Sequence, residues 1–213
     1  KLTDGPIDAL PFMGCATLDM GLIRARVGRL SVTGELGYEI HCHASEHIAL
    51  RRALLAAGEG LGLREAGFNA LLSLRLEKSF GIWSREFTQA YTPGETGMDR
   101  FVAFDKGDFI GRTAALAERN GAGTGRRIAT LEVDATDADA SGYEPVWRDG
   151  RRVGFVTSGG YGHTLGKSYA LAMIDSESAG VGTELTTHIV GQERPARVVP
   201  PSPYDPEGKA MRA

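Results

Sequence analysis

Pro145-Val146-Trp147-Arg148-Asp149-Gly150-Arg151-Arg152-Val153-Gly154-Phe155-Val156 is the stretch on which the fold turns. Asp-Gly between two apolar-bearing arms is among the strongest short hairpin signals, because a type I′ turn needs positive φ at both central residues. Strand pattern continues on either side. Residues 127–133 alternate, and 169–174, 184–190 and 195–199 follow at turn-punctuated intervals. About six short strands in this part of the chain predict a small barrel or sandwich, and a six-stranded β-barrel is the expected form. Past it, Pro200, Pro201, Pro203 and Pro206 predict an irregular tail draped over the surface.

Upstream the pattern is mixed. Ile23, Ala25 and Val27 alternate with Leu22, Arg24 and Arg26, which predicts a half-buried strand over 22–30. Thr33-Gly34-Glu35-Leu36-Gly37 supplies turn chemistry, and alternation resumes over 38–43, so the pair reads as a hairpin with a longer loop. Ser45 is the expected N-cap of a helix carrying Ile48, Leu50, Leu54 and Leu55, with Glu46 favouring the dipole in its first turn. Gly58, Gly60 and Gly62 end it. A second helix is expected over 65–78, bearing Leu71, Leu72, Leu74 and Leu76. Over 82–108 regularity fades around the turn Thr92-Pro93-Gly94. Asp108 is the expected cap of a short helix over 109–118. A glycine-rich link, 120–125, follows. The fold class is therefore α+β: an α+β domain over 1–119, then a small all-β barrel domain over 120–213.

Composition narrows function. The formal net charge of −3 lacks the basic excess of a nucleic-acid binder, so no nucleic-acid partner is expected. No run of about 18 apolar residues exists, so no membrane-spanning helix is expected, and the first residues lack the apolar core of a signal peptide. Cys15 and Cys42 are too few to staple a fold, which points to free thiols in a reducing compartment and a cytoplasmic location. The chain starts at Lys1, and residues 1–12 mix Gly5, Pro6 and Pro11. The expectation is a cut inside a longer protein.

Several motifs invite chemistry. Gly159-Gly160-Tyr161-Gly162-His163-Thr164-Leu165-Gly166-Lys167-Ser168 looks like a phosphate loop, but the glycine that should stand five residues before Gly166 is Tyr161, and a strand follows where a helix is needed. A tight barrel turn is the expected form. His41 and His43 fall at i and i+2 on the expected strand, facing one way, and His47 is the nearest third histidine. Two surface histidines are expected, not zinc. Glu39, inside the second strand, is expected to be a buried acceptor that wants N–H donors. Arg75, Glu77, Lys78 and Arg85, with Phe80 and Trp83 between them, carry two open readings: a charged helix surface with core aromatics, or an aromatic platform beside cations for a flat, acidic ligand.

Four motifs in chain order resemble one family. Val32-Thr33-Gly34-Glu35-Leu36-Gly37-Tyr38-Glu39-Ile40 is similar to its Thr-Gly-Glu hairpin, Ser73-Leu74-Arg75-Leu76-Glu77-Lys78 to its Ser-Leu-Arg-Leu-Glu helix, Lys106-Gly107-Asp108-Phe109-Ile110-Gly111-Arg112 to a Phe-Ile-Gly helix start, and Val156-Thr157-Ser158-Gly159 to a strand of its C-terminal barrel. The family is the glycine-cleavage T-protein, or aminomethyltransferase. Gly159–Gly162-His163 and Pro203-Tyr204-Asp205-Pro206 resemble its dimethylglycine and sarcosine dehydrogenase branch most, where the module follows a flavin domain.

The resemblance implies a partial folate-binding domain before the barrel, and one-carbon transfer from an amine or methyl donor to tetrahydrofolate. Glu39 would accept hydrogen bonds from the pterin, as an acceptor-only carboxylate facing a donor edge. Phe80 would line the folate pocket with Trp83 packed nearby, and Tyr38 and Arg75 complete the cofactor-binding set. FAD enters only if a flavin domain lies upstream, as a partner domain or subunit. The family's catalytic aspartate helps a folate nitrogen attack the one-carbon unit. It lies well upstream of the hairpin, so Asp4, Asp8 and Asp19 sit too close to be it. No catalytic residue is therefore expected in this chain, and the chain alone is expected to be inactive. Val32 stands where the family has tyrosine and Leu71 where it has arginine. Two rivals follow: a folate-dependent O- or S-demethylase, and a non-catalytic folate-binding protein.

Overall fold

The computed structural model describes residues 2–121 and 123–213; Lys1 and Ala122, the latter inside the expected glycine-rich link, lie outside the described residues. The chain forms two compact units, residues 1–71 with 207–213, and residues 72–206.

The first unit is built on an antiparallel sheet of β1 (Cys15–Met20), β2 (Ile23–Gly28) and β3 (Glu39–His41), in the order β1-β2-β3. The expected alternation holds in β2, where Ile23, Ala25 and Val27 are buried and Arg24 and Arg26 exposed. With Leu18, Met20 and Leu50 they form the core of this unit, and Ile40 and Cys42 pack against it. Strand β1 is an addition to the expected hairpin. It pairs Met20 with Ile23, and Gly21, at φ 64, makes the turn. Leu22 is consequently in that turn and fully exposed, not in a strand. Strand β3 stops at His41, so His43 does not share its face.

Helix α1 (His47–Ala57) corrects the capping expectation. The chain enters through a 3-10 turn, Ala44–Glu46, which moves the cap back to His43: its ring nitrogen accepts the Ser45 N–H at 3.3 Å. Ile48 lies outside, and Leu50 is the helix's buried residue. Helix α2 (Phe68–Glu77) is shorter than expected at its start. Helix α3 (Arg112–Asn120) begins three residues later than expected. Gly111 occupies its N-cap at φ 87, in the left-handed region, so Asp108 is not the cap.

Six strands of the second unit close into a barrel: β4 (Arg126–Val133), β5 (Pro145–Arg148), β6 (Arg151–Gly162), β7 (Lys167–Asp175), β8 (Glu184–Ile189) and β9 (Gln192–Val199), in the order β4-β7-β6-β5-β8-β9. Closure removes free sheet edges and decides between barrel and sandwich. Leu131, Val146, Val156, Ala170, Ala172, Ile174 and Ile189 fill the interior. The β5–β6 turn has Asp149 at φ 50 and Gly150 at φ 74, the sign pattern of a type I′ turn. Gly150→Ala is expected to cost about 1 kcal/mol, since a Cβ in the left-handed region is strained, read as a lower urea midpoint at unchanged slope.

Strand β6 runs past the expected Val156 to Gly162. It can do so because Gly159 has no Cβ: one would lie 2.4 Å from the Ala140 carbonyl oxygen. The phosphate-loop look-alike is accordingly strand, turn and strand, with Lys167 Nζ donating to Glu132 at 2.8 Å. Among the described residues no helix is long and apolar enough to cross a membrane, and no group of three or more His, Cys, Asp or Glu side chains could hold a metal ion.

Candidate functional site

In the first unit the loop between β2 and β3 braces itself. Ser31 Oγ donates to the Glu35 carbonyl at 2.5 Å and accepts the Gly34 N–H at 2.9 Å. This sets where β3 begins, and Glu39 is its first residue, paired in register with Gly28. Strand β3 is an edge strand. Glu39 is therefore not the buried acceptor that alternation predicts: its side chain is 42% exposed, and its carboxylate meets His41 Nε2 at 3.3 Å. Residues at i and i+2 of a strand share a face, which is why the two meet. Tyr38 turns inward, its hydroxyl 3.3 Å from the Ile7 carbonyl. Asp4, Asp8 and Asp19 are all exposed, and Asp19 pairs with Arg24 at 3.2 Å.

In the second unit the end of α2 overturns the helix-surface reading of its charges. Arg75, Glu77 and Lys78 are 3%, 1% and 2% exposed, and each is engaged. Glu77 Oε1 accepts the N–H groups of Thr164 and Leu165 at 2.8 and 2.9 Å, capping the β6–β7 turn. Lys78 Nζ donates to the carbonyls of Tyr204 and Asp205 at 3.0 and 2.6 Å, and lies 3.8 Å from the Asp205 carboxylate. The proline-rich tail is thus stitched down: Ser202 also donates to the Lys78 carbonyl at 2.8 Å. Ionic groups taken from water need such partners, and Glu77 and Lys78 have them.

Arg75 Nη1 donates to the Phe80 carbonyl at 2.9 Å and stands 3.6 Å from Glu86 Oε2. Burial pushes this guanidinium below its ordinary range, and Glu86 pulls it back in part. Glu86 is fully buried; its carboxylate accepts the Ile82 N–H at 2.9 Å and the Ser158 hydroxyl at 2.6 Å. The loop after α2, with Phe80 and Trp83 on it, is therefore held from beneath. Trp83 is 84% exposed, its ring edge-on to Phe87 at 6.3 Å. Phe80 lines a cavity of about 800 Å³ within this unit. Arg85 bonds the Thr157 carbonyl at 2.9 Å and also the Ser141 carbonyl.

Of the five expected cofactor-binding residues, then, Arg75, Phe80 and Trp83 are brought together around one loop of the second unit. Tyr38 and Glu39 are neighbours in the first. Glu86 and Ser158 carry no sequence signal of their own: Glu86 lies where regular pattern has faded, and Ser158 reads as one residue of a strand.

A self-braced hairpin leading into a carboxylate, a helix whose last turn and following residue bury Arg75, Leu76, Glu77 and Lys78, and a closed six-stranded barrel define an α+β protein. Residues 1–106 match the GCVT N-terminal domain, and residues 126–205 match the Glycine cleavage T-protein C-terminal barrel domain. The chain is 34% identical over 202 residues to human "Dimethylglycine dehydrogenase, mitochondrial", covering 93% of this chain and 23% of that protein. It is 35% identical over 201 residues to "Aminomethyltransferase" of Bacillus subtilis, covering 93% and 55%. The crystal structure of glycine cleavage system aminomethyltransferase T from Bartonella henselae superposes with a TM-score of 0.83 at 25% identity, over 93% of this chain and 54% of that one. The chain belongs to the glycine-cleavage T-protein (aminomethyltransferase) family. It spans about half, or less, of the length of these relatives.

Proposed function

We propose that this chain serves tetrahydrofolate-dependent one-carbon (aminomethyl) transfer, with Glu39 as the group that orients the pterin. The observation that carries the reading is Glu39 itself: a carboxylate at the start of an edge strand, 42% exposed and facing one histidine. Such a group has acceptor sites to spare, and an ionised carboxylate matches two parallel N–H donors bidentately. Tetrahydrofolate, when bound, supplies the nitrogen that receives the one-carbon unit. The protein's part is to hold that nitrogen in line with its donor, an entropy saving that is a main rate term in two-substrate reactions.

On this reading Phe80 and Trp83 offer aromatic surface to the folate. Arg75 works one step back, by holding the Phe80 carbonyl and the loop. Tyr38 positions Glu39 from within its own unit. None of Asp4, Asp8 and Asp19 serves as the catalytic aspartate, which fits their exposure. The chain alone is therefore expected to bind folate without turning it over, and the amine or methyl donor, with a flavin if a flavin domain is fused upstream, belongs to the whole protein. A sequence-domain boundary at residues 119 and 120 falls in the gap between the two family matches, from 106 to 126, whereas the compact units of the structure divide at residues 71 and 72. Free Cys15 and Cys42 support a reducing compartment such as the cytoplasm.

Trp83 gives a direct test, since the chain has two tryptophans and the other, Trp147, is partly buried in the barrel. Tetrahydrofolate is expected to quench the exposed Trp83 emission saturably, and the quench should vanish in Trp83→Phe. An unsaturable quench shared by both proteins would sink the aromatic-surface reading. In a parallel assay with a formaldehyde-equivalent donor, this chain should give no methylenetetrahydrofolate above background. Turnover by the chain alone would show that a catalytic residue is present after all.

A further inference from the structure

The cavity of about 800 Å³ in the second unit has the size of a small-molecule site, roughly 300–1,000 Å³. Its wall joins three aromatic rings, Phe80, Phe87 and Phe104, to three guanidinium groups, Arg100, Arg119 and Arg127. The chain as a whole is acidic, at −3, so this grouping runs against the general balance. Arg126 beside it shows how an arginine of this unit is ordinarily neutralised, its Nε 2.9 Å from the Glu95 carboxylate. Among the described residues, no carboxylate lies within 4.0 Å of Arg100, Arg119 or Arg127. Two carboxylates, Asp99 and Glu118, also line the wall; Glu118 accepts the Thr92 hydroxyl, and Lys78 is committed to the tail carbonyls.

Two of the three guanidiniums are also held in place. Arg119 stacks on the Phe104 ring at 4.7 Å and Arg100 on Phe101 at 4.8 Å. A stacked guanidinium keeps its N–H edges free for a planar oxyanion, and its order is already established before a ligand arrives. We infer that this cavity binds a small ligand that carries at least two oxyanions, carboxylate or phosphate, on a flat apolar body. The rings take the body, and the arginine edges take the charges bidentately. Phe80 figures here and in the folate reading, but this inference does not rest on that reading.

The test is calorimetry on the intact chain at low salt, with three probes: isophthalate (a flat ring with two carboxylates), inorganic pyrophosphate, and uncharged benzamide. The partner variant is Arg119→Gln with Arg127→Gln. Both side chains are exposed, so an unchanged melting temperature confirms that the fold is kept. Isophthalate is expected to bind, to weaken about tenfold or more in the double variant as charge-assisted hydrogen bonds are lost, and to weaken with salt. Benzamide should not bind. Pyrophosphate binding more tightly with the same arginine dependence would assign the phosphate source; isophthalate binding more tightly would assign the carboxylate one. The inference is overturned if isophthalate does not bind, even where pyrophosphate does, if the double variant binds as well as the parent, or if benzamide matches isophthalate.

Discussion

Glu86→Ala is expected to lower the stability of the second unit by about 3–5 kcal/mol, the usual cost of removing one partner from a buried ionic cluster. The carboxylate is fully buried and serves three groups at once: the Ile82 N–H, the Ser158 hydroxyl and, at 3.6 Å, the Arg75 guanidinium. Alanine leaves all three without it, and Arg75, 3% exposed, cannot recover a water shell. Glu86→Gln keeps an acceptor for Ile82 or Ser158 but not the charge, so its loss should fall between alanine and the parent. Urea unfolding gives the numbers. Trp83 anisotropy reports the loop, which should become mobile in Glu86→Ala under conditions where the protein is still folded. A loss below about 1 kcal/mol would mean that the cluster behaves as an exposed ion pair does and does not hold the loop.

Lys78→Met is the second large effect, about 2–4 kcal/mol. Methionine keeps most of the apolar stem and its packing, so the change isolates the ammonium. What is lost is the donor for the Tyr204 and Asp205 carbonyls, at 3.0 and 2.6 Å, and each buried acceptor left without a donor costs about 1–3 kcal/mol. The Ser202 bonds to Lys78 and Ser79 backbone and side chain remain, so the tail should loosen from Pro203 onward before the barrel melts. Limited proteolysis is expected to cut the variant between residues 203 and 208 and to spare the parent. Equal cutting of both would show that Lys78 does not anchor the tail.

These two predictions fall where the sequence reads worst, and for a physical reason. Arg, Glu and Lys are almost never fully buried unless paired, so Arg75, Glu77 and Lys78 read either as a helix surface or as charges beside a flat, acidic ligand, and neither reading buries them. Their partners are remote: Thr164 lies 87 residues beyond Glu77, and Asp205 lies 127 beyond Lys78. No local pattern announces a pairing of that range. The barrel is legible because its signals are local, with the Asp149-Gly150 turn joining two strands and four further runs each marking one. Strand β1 is legible only in Leu18 and Met20, since Cys15, Ala16, Thr17 and Asp19 around them give little contrast. Capping errors at Ser45 and Asp108 share a cause. A 3-10 entry at one helix and a left-handed Gly111 at another each shift the helix start by a few residues, which composition does not reveal. For the candidate site, the Thr-Gly-Glu hairpin and its Glu39 are legible as a motif, whereas the exposure of Glu39 depends on β3 being an edge strand, a fact of sheet order.

The central claim is that Glu39 recognises the pterin, and titration calorimetry of tetrahydrofolate into this chain and into Glu39→Ala tests it most directly. The account predicts measurable binding to the parent, weakened about tenfold or more in Glu39→Ala, the scale of losing a charge-assisted hydrogen-bonded pair, with unchanged thermal stability because the side chain is half exposed. Equal binding by both proteins, or no binding by the parent, would contradict it.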